Sequence, residues 1–166
     1  MNYITLEKVT FQSKDEIKLV GIWHYPNNRA SKAVILAHGI TADKDEEGIF
    51  VDLANVLQNK GFAAFRFDFR GHGESGGKSG DLTVTGELYD LEAAIKEVVN
   101  KGYRELGLVG ASFGGGTATL YTAKHPNLIK ALCLWNPALN YDHTFVNPIT
   151  SWLKNRKNEI KKDLKN

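Results

Sequence analysis

Short apolar segments with strand character alternate with amphipathic helical segments along most of the chain, and this alternation limits the possible folds more than any other feature. Ala33–Ala37 is a continuous apolar run, as expected for a strand buried on both faces. Further strands are predicted at Phe62–Phe69, Leu106–Val109 and Leu128–Trp135. Helices are predicted between them at Asp45–Lys60, Leu82–Asn100 and Phe113–Lys124. Such alternation predicts an α/β fold with a doubly wound, mainly parallel sheet.

The two ends of the chain differ from this central pattern. Tyr3–Thr10 and Ile17–Tyr25 alternate apolar and polar residues, which predicts an antiparallel hairpin. After Pro137 the strand and helix pattern stops, and residues 154–166 are rich in Lys and Arg. We therefore expect one core domain over residues 1–140, followed over residues 141–166 by the start of a cap-like segment or a basic helical tail.

Composition and charge argue against several classes of partner. The 166 residues carry a formal net charge of +2, which is too small to indicate nucleic-acid binding. No apolar run reaches the length of a membrane span, roughly 18 residues, and the first residues lack the pattern of a secretion signal. These features predict a cytoplasmic protein without a membrane contact. The single cysteine, Cys133, lies in an apolar run and is expected in the core.

Two glycine-rich motifs resemble nucleotide-binding loops but lack the required context. Gly71–Gly76 reads GHGESG and matches G-x-G-x-x-G, yet no helix is predicted to begin inside it. His72–Ser79 reads HGESGGKS, with His72 where a phosphate-binding loop has glycine, and Lys78 does not lead into a helix. The sequence therefore predicts a wide loop after the strand and no nucleotide cofactor.

A third glycine-rich motif has the context that serine hydrolases need. Gly110–Gly114 reads GASFG and lies between a predicted strand and a predicted helix, as a G-x-S-x-G nucleophile elbow does. The turn strains the backbone at the serine, so its neighbours must lack bulk, as Gly110 and Gly114 do. At a helix N-terminus, backbone N–H groups favour developing negative charge. Ser112 is therefore the candidate nucleophile.

The loop after Ala33–Ala37 supplies the other half of a candidate oxyanion hole. It begins His38-Gly39-Ile40, and Gly39 would let its backbone approach the serine closely. In a nucleophile elbow, one oxyanion N–H follows the serine and a second comes from a loop of this kind. The backbone N–H groups of Ile40 and Phe113 are therefore the candidate donors.

The segments LAHGITADKDE, FAAFRFDFRGHGESGG and GLVGASFGGGTA, in this order, resemble the α/β-hydrolase superfamily. The likeness runs from about Tyr3 to Asn136 and is greatest to its bacterial serine esterases, the cinnamoyl or feruloyl esterase-like group, which DLTVTGELYDLEAAI also fits. This resemblance implies that Ser112 is the nucleophile, that Ile40 and Phe113 give the oxyanion N–H groups, and that the substrate is a small ester. It also implies that no metal or cofactor takes part. Lipases, thioesterases and aminopeptidases share the scaffold, so the acyl group stays open.

The resemblance further implies a catalytic acid and a histidine after the serine, and neither is in its usual place. The chain ends where such esterases begin an inserted cap, so we expect an α/β-hydrolase fold that lacks its last strands. Asp142, His143 and His38 stay open as substitutes for the missing groups. The other histidines are placed elsewhere, with His24 exposed on the hairpin, His72 in a loop and His125 at a helix end.

Two classes of function stay open. One is a carboxylic-ester hydrolase that acts through an acyl-serine intermediate, with weak or no turnover by this chain. The other is a non-catalytic binding or assembly module, or a site completed by another chain. Leu128–Trp135 has no following strand to pair with, and an open strand edge is a template for association. We therefore expect self-association through this edge.

Overall fold

The computed structural model of the chain describes residues 5–28 and 30–140. Within them the strands are β1 (Thr5–Gln12), β2 (Lys18–Tyr25), β3 (Lys32–Ala37), β4 (Ala63–Asp68), β5 (Glu105–Ala111) and β6 (Ile129–Trp135). The α-helices are α1 (Ile49–Asn59), α2 (Val84–Asn100) and α3 (Ser112–Lys124), and 3-10 turns lie at Glu46–Gly48 and Ser79–Asp81. Each strand and helix expected from the sequence is present, with ends that differ by a few residues.

These strands form one sheet in the order β1-β2-β4-β3-β5-β6. β1 pairs antiparallel with β2, and β2 pairs antiparallel with β4, whereas β4, β3, β5 and β6 are parallel neighbours. The N-terminal hairpin and the mainly parallel sheet are therefore confirmed. Because β4 and β5 lie on opposite sides of β3, the strand order reverses there, and at such a point the carboxyl ends of parallel strands leave a crevice.

Helices cover both faces of the sheet, as a doubly wound fold requires. On one face, a large apolar cluster joins Leu91 of α2 and Tyr121 of α3 to strand residues such as Phe65. On the other face, α1 buries a smaller cluster around Phe50. All of β4 is buried, because it lies inside the sheet with helices on both sides.

The first helix begins later than its sequence pattern indicates. The sequence predicts a start at Asp45, but α1 starts at Ile49, so that prediction is wrong. Glu46 and Glu47 have φ values of 45° and 55°, and Gly48 has 93°. Left-handed backbone of this kind interrupts a right-handed helix. The spacing of apolar residues does not reveal this interruption, because none of the three residues has an apolar side chain.

Two expectations for single residues are also wrong. His24, expected to be exposed, is 1 % exposed, because β2 lies inside the sheet and His24 Nε2 accepts a hydrogen bond from Arg66 Nε at 2.9 Å. Cys133, expected in the core, is exposed. Its neighbour Leu132 packs under α3, so Cys133 points to the other face of β6, whereas α1 packs on β4 and β2.

Some expectations fall on parts of the chain that the structure does not describe. Residues 141–166, with the cap-like or basic helical tail, lie outside the described residues. In the described part, no helix is both long and apolar enough to cross a membrane. The cytoplasmic location stays a prediction. Within the same part, β6 pairs with β5 alone and lies at an edge of the sheet.

Candidate active site

Ser112 stands where β5 ends and α3 begins. Its φ is 47°, a left-handed value that costs a residue with a side chain roughly 1–3 kcal/mol. Ala111 before it is extended, so the chain turns sharply at the serine, as in a nucleophile elbow. The Ser112 carbonyl accepts a hydrogen bond from the Ala138 N–H at 2.8 Å, which ties the turn to the segment after β6.

Two glycines make this turn possible. A Cβ on Gly114 would lie 2.3 Å from the carbonyl oxygen of His38, and a Cβ on Gly110 would lie 2.7 Å from Gly115 Cα. Both contacts are with backbone atoms, which cannot swing aside as a flexible side chain can. The missing side chains therefore let α3 pack against the backbone that leads out of β3, and this packing brings Ser112 to the loop after that strand.

The loop after β3 passes directly beside Ser112. A Cβ on Gly39 would stand 3.2 Å from Ser112 Cβ, so the loop backbone reaches the serine. In the described part of the chain, the Ile40 N–H has no hydrogen-bond acceptor. Phe113 lies in the first turn of α3, where backbone N–H groups point out of a helix. The structure thus brings Ser112, Ile40 and Phe113 to the same edge of the sheet, and their catalytic roles stay predictions.

His38 fixes the peptide that presents the Ile40 N–H. The ring is 1 % exposed, and burial lowers the pKa of His38 to about 4. Its Nε2 accepts a hydrogen bond from the Phe69 N–H at 3.0 Å, so the proton lies on Nδ1, which donates to the Gly39 carbonyl at 2.8 Å. This carbonyl belongs to the same peptide as the Ile40 N–H, so the bond sets the direction of that N–H. The geometry therefore supports a positioning role for His38.

His72 holds the next peptide of the same loop. Its Nε2 lies 2.7 Å from the Ile40 carbonyl oxygen, and its Nδ1 lies 2.9 Å from the Arg70 carbonyl oxygen. The His72 ring centroid is 5.0 Å from that of His38. Both ring nitrogens are engaged by backbone, so His72 ties the loop after β4 to the loop after β3.

The glycine-rich loop after β4 closes around a buried carboxylate. Asp68 is 0 % exposed, and it accepts hydrogen bonds from Lys44 N–H at 2.7 Å, Lys44 Nζ at 3.1 Å and Glu74 N–H at 2.9 Å. A Cβ on Gly73 would lie 2.4 Å from the Asp68 carboxylate. The loop is therefore closed around its own ion pair of Asp68 and Lys44.

A second charge network lies between this loop and α2, and Asp90 is its buried member. Arg70 Nη2 donates to Asp90 at 2.8 Å, and its Nη1 donates to Asp15 at 2.7 Å. Burial raises the pKa of Asp90, and the hydrogen bonds from Arg70 oppose that rise. One turn earlier on α2, Glu87 accepts a hydrogen bond from Thr117 of α3 at 2.9 Å, and burial raises the pKa of Glu87 to about 8. These contacts connect the loop, α2 and the helix that begins at the serine.

A cavity opens beside the serine. Its volume is about 220 Å³, and it is lined by Glu46, Ile49, Ala111, Ser112, Trp135 and Asn136. Glu46 Oε2 accepts a hydrogen bond from the Gly39 N–H at 2.7 Å, which holds this carboxylate at the loop after β3. Sequence reasoning missed Glu46 because it placed this residue inside a helix. The available signal was an acidic pair before Gly48, in the segment that follows the oxyanion candidate.

In the described part of the chain, no histidine makes a hydrogen bond to Ser112. Three histidines bind an arginine or backbone atoms instead, namely His24, His38 and His72. His125 lies at the C-terminal end of α3, far from the serine at its start, and stacks on Tyr121 with ring centroids 4.4 Å apart. A general base for Ser112 is therefore not found among these side chains.

The remaining candidates for the acid and the base, Asp142 and His143, lie outside the described residues and stay predictions. Among residues 5–28 and 30–140, no group of three or more His, Cys, Asp or Glu side chains is arranged to hold a metal ion. The site as described thus consists of a nucleophile candidate, oxyanion candidates and a cavity with one carboxylate.

Comparisons with known proteins match most of the chain. Residues 28–166 match the family model described as serine aminopeptidase, S33. The chain is similar to a monoacylglycerol lipase of Mycolicibacterium smegmatis, with 29 % identity over 126 residues that cover 75 % of this chain and 44 % of the lipase.

Solved structures show the same likeness. The esterase Pf2001 of Pyrococcus furiosus is 28 % identical with a TM-score of 0.77, and the match covers 91 % of this chain and 59 % of the esterase. Est1E of Butyrivibrio proteoclasticus, solved with ferulic acid bound, is 31 % identical with a TM-score of 0.66, and the match covers 75 % of this chain and 51 % of Est1E. The chain therefore spans about half the length of the proteins it matches.

Proposed function

Because the chain belongs to the family described as serine aminopeptidase, S33, and has an α/β-hydrolase fold, we propose that it carries the nucleophile of a carboxylic-ester hydrolase, Ser112. The observation that carries this proposal is the left-handed turn at Ser112, with φ of 47°, beside a loop whose backbone reaches the serine. The similar proteins are named as a lipase and an esterase, which supports a small ester as the substrate.

In the proposed reaction, Ser112 Oγ attacks the acyl carbon and forms a new C–O bond. The carbonyl oxygen becomes an oxyanion, which the N–H groups of Ile40 and Phe113 stabilise as hydrogen-bond donors. The bond to the alcohol then breaks, and the proton from the serine goes by way of a base to the departing alkoxide. Water cleaves the acyl-serine by the reverse path, which releases the carboxylic acid.

We expect weak turnover from these residues alone, since no base for Ser112 is found in the described part of the chain. Removing the serine or the histidine of a serine hydrolase lowers kcat by roughly 10⁶, and the remaining oxyanion hole and binding site leave roughly 10³–10⁴ over water. Hydrolysis of p-nitrophenyl acetate measures this. Turnover at ordinary esterase rates that disappears in Ser112→Ala would show that the chain supplies a base after all.

Labelling with a fluorophosphonate tests the nucleophile directly. The serine oxygen displaces fluoride from phosphorus, and intact-mass and peptide measurements locate the adduct. We expect labelling at Ser112 that is lost in Ser112→Ala and that is faster than at other serines, because the Ile40 and Phe113 N–H groups would stabilise the charge on the phosphoryl oxygen even without a base. Ser75→Ala is a matched control from the other glycine-rich turn, where Ser75 Oγ donates to the Asp68 carbonyl at 2.7 Å. Equal and slow labelling of many serines would contradict an activated nucleophile and favour a non-catalytic binding or assembly module.

A second proposal concerns assembly, because β6 is an edge strand in the described part of the sheet. Its outward face carries the exposed residues Ala131 and Cys133, and Trp135 is 47 % exposed. Unpaired strand edges with apolar side chains tend to pair with another chain. We propose that β6 mediates self-association, which would also allow a second chain to complete the site.

Sedimentation over a range of concentrations tests the assembly. We expect the association to weaken in Ala131→Lys, because a lysine on an edge strand opposes pairing. Leu6→Lys on β1, at the opposite edge, is the matched control, since Leu6 is also exposed at 52 %. A monomer at every concentration would contradict the proposal.

A further inference from the structure

The cavity beside Ser112 combines an apolar wall with a carboxylate. Ile49 and Trp135 contribute to the wall, and Glu46 lines the same space. The point at which a Cβ on Gly39 would stand is 3.2 Å from Ser112 Cβ and 3.5 Å from Glu46 Oε1. The serine and the carboxylate therefore border one small volume, next to the loop that would hold the oxyanion.

The Glu46 side chain is held in place by a hydrogen bond to one of its two carboxylate oxygens. Oε2 accepts the hydrogen bond from the Gly39 N–H at 2.7 Å, whereas Oε1 has no hydrogen-bond partner in the described part of the chain. The φ of Glu46 is 45°, a strained value that tends to persist at functional sites. One oxygen thus positions the side chain, and the other remains available to a ligand in the cavity.

The positive side chains near this loop are engaged elsewhere. Lys44 forms ion pairs with Asp68 and Glu74, and Arg66 forms one with Asp45. Within the described residues, no Lys or Arg forms an ion pair with Glu46. Among the described residues, this carboxylate therefore has no neighbouring cation as a partner, and it lines the cavity beside Ser112.

We propose that this cavity binds a positively charged group of the substrate, an ammonium group carried on a short apolar chain next to the reacting ester bond. Ammonium groups bind carboxylates and tryptophan rings, and Glu46 and Trp135 line the same cavity. Ile49 contacts the apolar chain. This inference rests on the proposed function of Ser112, because it assigns the charge of the group that lies beside that serine.

Equilibrium binding tests the inference without any need for catalysis. The probes are choline and its neutral isostere, in which a tert-butyl group replaces the trimethylammonium group. Their affinities follow from the shift of the Trp135 indole N–H signal in NMR spectra of the full chain, assigned with Trp135→Phe. We expect choline to bind about tenfold more tightly than the isostere.

Glu46→Gln keeps an oxygen that can accept the Gly39 N–H while it removes the charge. We expect this variant to lose the preference for choline and to keep its affinity for the neutral isostere. Glu47→Gln is the matched control, because Glu47 is the exposed neighbour and does not line the cavity. It should keep the preference.

Equal affinities of the two probes for the unmodified chain would overturn the inference, and so would an equal loss of preference in both variants. The fluorophosphonate reaction separates this failure from that of the proposed function. A choline preference without labelling of Ser112 would support the cation site and contradict the ester hydrolase. Labelling of Ser112 without a choline preference would support the ester hydrolase and contradict the cation site.

Discussion

The two glycine-rich turns at the carboxyl ends of parallel strands differ in the hydrogen bonds that their serine hydroxyl groups make. In the turn after β4, Ser75 Oγ donates to the Asp68 carbonyl at 2.7 Å and accepts from the Val20 N–H at 3.0 Å. In the turn after β5, Ser112 Oγ makes no hydrogen bond within the described part of the chain. Ser112 also has a strained φ of 47°.

The difference separates a turn whose serine supports the structure from one whose serine hydroxyl is left available, as the proposed nucleophile requires. The turn after β4 is filled by its own charges, with the carboxylate of Asp68 inside it. Beside it, Arg70 pairs with Asp90 of α2, and α2 in turn accepts a hydrogen bond from Thr117 of α3 through Glu87. A polar group with every partner satisfied adds stability, whereas a nucleophile must be left without a partner in the direction of its substrate.

The largest expected effect on stability comes from the charge network of Arg70, next to the turn after β4. Arg70→Met leaves the carboxylate of Asp90, which is 0 % exposed, without its cation. We expect the free energy of unfolding to fall by about 3–5 kcal/mol, measured by urea denaturation. Arg104→Met is the control, because Arg104 is exposed and donates only to backbone carbonyls. Similar losses in both variants would contradict a special role for the network.

The next comparison is between glycine-to-alanine substitutions in the two turns. Gly114→Ala places a Cβ 2.3 Å from a backbone oxygen, whereas Gly76→Ala places one 3.4 Å from its nearest neighbour. We expect Gly114→Ala to lower the free energy of unfolding by about 3 kcal/mol, since the backbone must shift to relieve the overlap. The change at Gly76 should stay within about 0.5 kcal/mol. If both variants denature at the same urea concentration, the turn after β5 is less tightly packed than described.

The buried contact between α2 and α3 should make stability depend on pH. Burial raises the pKa of Glu87 from its ordinary value of 4.5 to about 8, with Thr117, Asp90 and Arg70 as its neighbours. The folded state therefore holds a proton that the unfolded state releases. We expect the free energy of unfolding of the unmodified protein, relative to that of Glu87→Gln, to be greatest below pH 4.5. This difference should fall by at most about 1.4 kcal/mol per pH unit as the pH rises towards 8. Parallel stability profiles of the two proteins would contradict the raised pKa.

The smallest effect concerns the peptide that His38 orients. His38→Asn keeps an N–H donor near the position of Nδ1, whereas His38→Gln keeps only an acceptor near the position of Nε2. We expect the rate of Ser112 labelling by a fluorophosphonate to fall by about tenfold in the Gln variant and less in the Asn variant, because only the former releases the Gly39 carbonyl. Equal rates for the two variants, measured on folded protein, would leave His38 with a packing role only.

Much of this arrangement could be predicted from local pattern. The continuous apolar run Ala33–Ala37 indicated a strand buried on both faces. The strand, glycines and helix around Ser112 indicated a sharp turn, and its φ of 47° confirms that turn. The positions of Ile40 and Phe113 followed from the same motifs. The predictions of the strand and of the turn succeeded because each depends on a few residues that are adjacent in the chain, whereas the oxyanion roles of Ile40 and Phe113 stay predictions.

Other features depended on contacts between distant residues, which no local pattern reports. The sequence by itself determined which strands and helices form and where the serine stands, because periodic burial and turn chemistry act over a few residues. Only the tertiary structure decided that His24 is buried beside Arg66, that Cys133 faces outward and that Glu46 shares a cavity with Ser112. Those outcomes depend on the order of strands in the sheet and on the left-handed backbone before α1, and both are set by how the whole chain packs.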